Sequence, residues 1–481
     1  MKKFIKTDNI SWFYSLISLL LIFTLAGCAN QATSVLETPV VEQRETPKPS
    51  ATPAKETEQP TPTEALPVFE IDTGDLEGTS IRFLHPWSGE AGAVFRDIAR
   101  KFSLSNPWGV WVDAESHGNE DILIEKVQSD LEKGELPGLI AVHPYALSWL
   151  EGDASTVSLN GYFNHPELGM GEDVHEDMPQ VYFDPFTVDG ERIALPLAPQ
   201  AMVLFYNQTW AEELGFDSYP GDENAFKAQS CAATAENFAD EDQENDYTGG
   251  WLMNFDPAAL LSWYTAFGGE IAEGEMIRFN NNAGQMAFGY LENLYSPEEG
   301  CIWVGRQTEP YSYFANHYAL MYAGTLNQIP LQLRWMAQFE NEDQWTVIGF
   351  PGADGEVMMV DSPGLFIMES SPEEQLASWL FAKHLLSAEV QAQLVQSMFT
   401  LPVRESALDY LDDFVLEYPQ WMSAYDRLDR AQHLPISETW GYARWVLQDG
   451  INRLFAYGAD PVGDILAQVD EMIESLEGDA Q

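Results

Sequence analysis

The stretch "ERIALPLAPQAMVLFYNQTWAEELGF", Glu191 to Phe216, decides the reading of this chain. Two apolar runs flank Pro199-Gln200. The second reads as a strand that ends at Asn207 and runs straight into a helix. Strand, break, strand and helix in this order read as a chain crossing between two lobes.

Working back from the crossing, apolar strands alternate with amphipathic helices. "TSIRFLHPW" (Thr79–Trp87) reads as a buried strand ending in a loop. "GAVFRDIARKFSLSN" follows, with Val94, Phe95, Ile98 and Phe102 at helical spacing. "GVWVDAES" is a second strand. "NEDILIEKVQSDLEKGE" is a second helix, with Asn119 as its N-cap and Gly134 near its end. "GLIAVHPY" is a third strand. Such alternation predicts an α/β fold with a sheet flanked by helices. Ligands of such sheets bind at the carboxyl ends of strands. The loops at His85–Glu90, Ala114–Ser116 and His143–Tyr145 therefore stand out.

Working forward, "ADEDQENDYTGG" (Ala239–Gly250) carries alternating acids. A calcium loop wants Gly sixth and Glu twelfth. Asn245 and Trp251 hold those places, so a solvated acidic turn is expected. "GGWLMNFDPAALLSWYTAFGGEI" is dense in aromatics. "YALMYAGTLNQIP" reads as a strand ending in a Gly-Thr loop, and "WTVIGFPG" and "MMVDSPGLFIM" as strands around a turn. Ser371 and Glu374 form a capping box at the head of a helix. The last third reads as helical, broken at Pro402, Pro419, Pro435 and Pro461.

A length of 481 residues exceeds one ordinary core, so two lobes are expected. The formal net charge of -53 repels phosphate backbones, which excludes nucleic acid as a partner and disfavours polyanionic ligands. Its plain reading is a solubilising surface.

The N-terminus has Lys2, Lys3 and Lys6, then a mostly apolar stretch from Ile10 to Gly27. That is the order of an export signal. Leu25-Ala26-Gly27-Cys28 resembles a bacterial lipoprotein box, which implies cleavage before Cys28 and lipid on that residue; the alternative is an uncleaved anchor helix. Residues 29–78 are Thr- and Pro-rich and cannot bury a core, so they read as a disordered tether. Both readings place the rest outside the cytoplasm, tied to a membrane. With Cys28 lipidated, Cys231 and Cys301 remain in an oxidising space and are expected to form a disulfide. Neither has metal-type spacing, no CxxC occurs, and no metal or cofactor is expected.

From Thr79 onward the chain resembles the extracellular solute-binding lipoproteins of bacterial ABC importers, in the maltose-binding-like group. The residues that carry this are "IRFLHPWSGE", the crossing with Tyr206-Asn207 before "TWAEELGF", "WLMNFDPAALLSWYTAFGGEI", "FANHYALMYAG", and "SPEEQLASWLFAKHLLSAEVQAQ" followed by "LPVRES". The resemblance implies a two-lobe, type II periplasmic-binding-protein-like fold with a multi-crossing hinge. It implies lobe 1 over 79–198 and 359–408, and lobe 2 over 199–358 with a helical part over 409–481. It further implies a monomer that closes on a sugar and docks on the transmembrane subunits of an ABC permease.

A pyranose offers a C–H face to aromatics and a hydroxyl rim to polar side chains. On that ground the expected ligand residues are Trp87 and Glu90 after the first strand, His143 and Tyr145 after the third, and Gln200 at the crossing. The resemblance implies Trp251 and Asn254 on the aromatic segment, with Asp256 beside them. Thr325 with Gly324 and Asp361 with Ser362 follow at strand ends and turns, and the resemblance adds Trp440 with Tyr442 before the late helix. Each aromatic has a plain alternative as core, which is the stronger reading for Trp263 and Tyr264. Two other functions fit the same composition. A glycoside hydrolase would need two facing carboxylates about 5–10 Å apart, and a non-transport sensing or adhesive lipoprotein would bind sugar without a permease. No GxSxG, HExxH or Walker A sequence occurs, so a binding component rather than an enzyme is expected.

Overall fold

The computed structural model describes residues 73–480, apart from 148–155, 172, 173, 175, 189, 272–275, 297, 298, 306–309 and 354. The lipobox at Cys28 and nearly all of the 29–78 stretch lie outside the described residues.

Along the chain run β1 (Ser80–His85), β2 (Trp111–Ser116) and β3 (Leu139–Val142), then a hairpin of β4 (Thr187–Val188) and β5 (Glu191–Arg192). Next come β6 (Leu195–Pro196), β7 (Gln200–Asn207), β8 (Gly249–Met253), β9 (Ile302–Val304) and β10 (Ala319–Thr325). The series closes with β11 (Trp345–Ile348), β12 (Phe350–Gly352), β13 (Gly355–Asp361), β14 (Gly364–Ile367) and β15 (Ala431–His433). Two sheets result. The first has the order β2-β1-β3-β14-β6, and the second β12-β13-β7-β10-β8-β9, with β11 also on β7 and β15 on β13. β1 is parallel to β2 and β3, and β8 to β9 and β10, whereas β14 and β7 run antiparallel to their neighbours.

The unbroken apolar runs follow from burial on both faces of each sheet. Alternate residues of β7 divide between two cores: Val203 and Phe205 enter one, Met202, Leu204 and Tyr206 the other. β3 does the same with Leu139 and Ala141 against Ile140 and Val142. Helix starts are fixed by side chains. Asn119 accepts from the Ile122 N–H, Ser371 from Glu374 and Asn207 from Trp210. Asn207 thus ends the crossing strand and begins the next helix at one residue.

The chain passes between the sheets at 197–199 and again at 362–363. These passages lie side by side: the Leu197 N–H donates to the Pro363 carbonyl at 2.9 Å, and Ser362 is fully buried against them. Ala198 takes a left-handed φ of 55° just before Pro199, a conformation costly for a residue with a Cβ. Cys231 and Cys301 form a disulfide between the helix Glu223–Ala239 and the approach to β9. Among the described residues no helix is long and apolar enough to cross a membrane.

Candidate functional site

The parallel strands of the first sheet end at His85, Ser116 and Val142, on one edge. Trp87 follows β1 and stacks on Phe95 at 4.6 Å, leaving it half-buried. The Ser116 hydroxyl donates to the Trp87 carbonyl and fixes the turn. Glu90 is exposed in the first turn of the helix Gly89–Ser105. His85 lies beneath, fully buried; burial above all, with the charges of His117 and Arg96, lowers its pKa to about 4 and keeps it neutral.

His143, just past β3, joins the two sheets. Its Nδ1 lies 3.0 Å from Glu120 Oε1, and its Nε2 lies 3.0 Å from Asp361 Oδ2. Its backbone N–H also donates to Glu120. Both ring nitrogens face acceptor-only carboxylates, so only the imidazolium satisfies both. Burial alone would lower this pKa, but Asp361 and Glu120 outweigh it and lift it to about 10. In the same way burial would raise Asp361, and His143 pulls it below the usual carboxylate value. Tyr145 stacks parallel on His143 at 5.3 Å. Its hydroxyl accepts a bond from Arg444 Nη1, and the Arg444 guanidinium sits 4.3 Å from the Tyr145 ring centre. Arg444 belongs to the helix Glu438–Leu454, which packs against the helices Pro257–Ala266 and Val462–Ala480 beside the second sheet.

The second sheet has its own open wall. A cavity of about 410 Å³ lies at the carboxyl ends of β8, β9 and β10. Its lining includes Asn254, Phe255, Asp256, Tyr311, Gln328 and Gln448, and no Lys, Arg or His among the described residues. Asn254 is held by both ends: its amide donates to the Ala323 carbonyl and its oxygen accepts from Asp256 N–H. Asp256 caps the helix Pro257–Ala266 through Ala258. Burial, with the charge of Asp361, raises its pKa against the pull of the Ala258 and Ala259 N–H groups and of Arg444.

The expected ligand residues fall into three groups. His143, Tyr145 and Asp361 meet directly, and Gln200 lies beside Asp361 across the β7–β13 ladder. Asn254 lines the cavity of the second wall. Thr325 ends β10, where its hydroxyl bonds Asn327, whose N–H reaches Gln200. Trp87 and Glu90 stand at the rim of the first sheet.

Trp251 and Trp440 are corrections. Trp251 is fully buried between Phe226 and Trp263, because β8 has a strand on each side and the Trp251 face is covered by the helices Glu223–Ala239 and Pro257–Ala266. Trp440 is 2% exposed, on the inner stripe of its helix with Ala443, Leu447 and Ile451. Tyr442 bonds Thr439 and faces the charges of Glu477 and Glu438. Ser362 is buried in the crossing. Glu120, Arg444 and Trp445 were missed. Arg444 and Trp445 sit off the apolar stripe of their helix, and that period was readable in the sequence.

A family model described as bacterial extracellular solute-binding protein matches residues 98–423. The chain belongs to that family. The fold places it among two-lobe solute-binding structures. The cyclic α-maltosyl-1,6-maltose binding protein of Arthrobacter globiformis superposes with a TM-score of 0.68 at 16% identity, over 83% of this chain and 98% of that one. The sugar-binding protein MalE of Xanthomonas citri gives 0.68 at 20% identity, over 83% and 98%. UgpB of Mycobacterium tuberculosis, solved with glycerophosphocholine, gives 0.65 at 16% identity, over 84% and 99%. No curated protein sequence matches this chain.

Proposed function

We propose that this solute-binding protein captures an oligosaccharide between its two lobes and delivers it to an ABC permease. Lobe 1 is read as 79–198 and 359–408, and lobe 2 as 199–358 and 409–481. The observation that carries the ligand class is the cavity at the ends of β8, β9 and β10. It pairs an aromatic side chain, Phe255, with the polar side chains of Asp256, Gln328 and Gln448. Hydroxyl-rich ligands with apolar faces need that mixture. Sugar-binding structures among the fold neighbours support the same class. Lipid on Cys28 would hold the receptor near its permease and raise its effective concentration there.

A thermal-shift screen tests this. Malto-, cello- and xylo-oligosaccharides, polyamines and glycerophosphodiesters form the panel. A binding ligand at about 100 times its Kd adds about 2.7 kcal/mol. One sugar class should raise the melting temperature, and Trp87→Ala or Phe255→Ala should remove the shift. A shift with polyamine alone would overturn the sugar assignment. Cleavage of the panel would overturn the receptor.

A further inference from the structure

We propose that Arg444 is a positioning residue: it clasps the two lobes together through Tyr145, beside the His143–Asp361 pair, before any ligand is bound. The proposal rests on the capture reading above. It concerns the empty protein, so it can fail or stand apart from the choice of ligand.

The argument starts from where the partners sit. Tyr145 belongs to the short helix Pro144–Leu147, just after β3 of the first sheet. Arg444 lies 299 residues later on a helix of the second lobe. The two helices pack on each other. The Arg444 guanidinium bonds the Tyr145 hydroxyl and also lies 4.3 Å from the Tyr145 ring centre and 4.9 Å from that of Trp445. Both distances are within cation–π range. Arg444 Nε donates to the Gly441 carbonyl at 3.2 Å, which fixes the fork on its own helix. The contact is therefore preformed on one lobe and completed by the other.

The second strut lies at the hinge. His143 leaves β3, and Asp361 ends β13 with two residues between it and β14. Their 3.0 Å bond ties the strand-end edge of the first sheet to the end of β13 in the second. Opening the lobes by rotation at 197–199 and 362–363 leaves this bond near the axis. The Arg444–Tyr145 contact sits beside this bond, through Tyr145 stacked on His143, and it too joins the lobes, so separating them strains it as well. It involves no ligand atoms, so it favours the closed form whether or not the cleft is filled. A ligand then meets a population already weighted toward closure, and entry waits on release of the clasp.

The test is a distance measurement on the full-length chain without ligand. Spin labels on non-natural residues replace exposed Leu104 in the first lobe and exposed Met472 in the second, leaving the Cys231–Cys301 disulfide intact. Wild type should give one short distance. Arg444→Ala and Tyr145→Phe should each raise the ratio of long to short distances, on the order of tenfold for the loss of a charge-assisted bond. Arg444→Lys, which keeps the cation but not the fork, should fall between. Arg444 is part-exposed, so its variants should melt near wild type, and circular dichroism checks their fold. Identical distributions in wild type and Arg444→Ala would overturn the clasp, as would a wild type that is already open. A sugar panel that shifts nothing would sink the ligand assignment and leave these distances to decide the clasp.

Discussion

Two clusters in this molecule are built from the same chemistry and do different work. In the first, Arg82 of β1 holds Glu115 of β2 at 2.6 Å and Asp130 at 2.8 Å, and Lys126 also bonds Asp130. Everything there belongs to two adjacent strands and the helix beside them. In the second, His143 lies between Glu120 and Asp361, with Arg444 and Tyr145 alongside. The first ties parts that never separate, so its energy goes into folding one lobe. The second spans the boundary between sheets, so its energy goes into holding the lobes against each other as well as into folding. The chain has 23 Lys and Arg against 76 Asp and Glu. Its scarce cations stand where carboxylates crowd, and their address decides their effect.

The largest effect comes from breaking the first cluster. Asp130 is 2% exposed, and burial that would raise its pKa is outweighed by Lys126 and Arg82. Asp130→Ala takes the shared carboxylate from Lys126 and leaves Arg82 with Glu115 alone, and should cost about 3 kcal/mol. Urea unfolding should show that loss, while ligand affinity under native conditions should hold. An affinity that falls in step with stability would erase the contrast between the clusters.

The second cluster should respond to pH. The His143 pKa is raised from about 6.5 to about 10. A raised pKa gives stability that is full below the unfolded value and is lost as pH rises through the folded one. The decline should thus run from about pH 6.5 to about pH 10. Asp361 is depressed, so its share is present above about pH 3.8 and fades as pH falls below that. The groups facing His143 are Glu120, Asp361, Tyr145, Arg444 and His433, and burial lowers the pKa of His433 so that it adds little charge. Asp361→Asn should cost about 2 kcal/mol and bring the His143 titration, read by NMR, back toward its ordinary value. A His143 signal that still titrates near pH 10 in that variant would show that Glu120 alone holds it.

Much of this was legible. The alternation from Thr79 to Tyr145 gave β1, β2, β3 and the helices between them, because period-3.6 stripes and unbroken apolar runs are local signals. Asn119 and Ser371 cap helices as their sequence contexts predicted. The aromatics of the second lobe were harder. Trp251 follows a Gly pair and precedes Asn254, which looks like a loop, yet "GGWLM" is the whole of β8, buried throughout. Trp440 begins an inner stripe with Ala443, Leu447 and Ile451, so periodicity alone would have sent it to the core and left Arg444 and Trp445 outside. Glu120 and Arg444 gave no local signal as site residues. Their partners stand 23 and 299 residues away, and only the folded chain brings them together.

The smallest expected effect marks the floor of the comparison. Lys227 and Glu299 lie 2.7 Å apart, with side chains 42% and 39% exposed. Their bond is as short as the Arg82 bonds, so geometry alone would rank the two alike. Water and salt screen an exposed pair, and two long side chains lose freedom to make it. Lys227→Met should therefore change stability by no more than about 0.5 kcal/mol. It should leave the label distances between the lobes unmoved. The nearby Cys231–Cys301 bond links the same helix to the approach to β9, which leaves the ion pair little to add. A loss as large as that of Asp130→Ala would mean that short ion pairs stabilise this very acidic chain wherever they occur, and burial and location would cease to explain the difference between its two clusters.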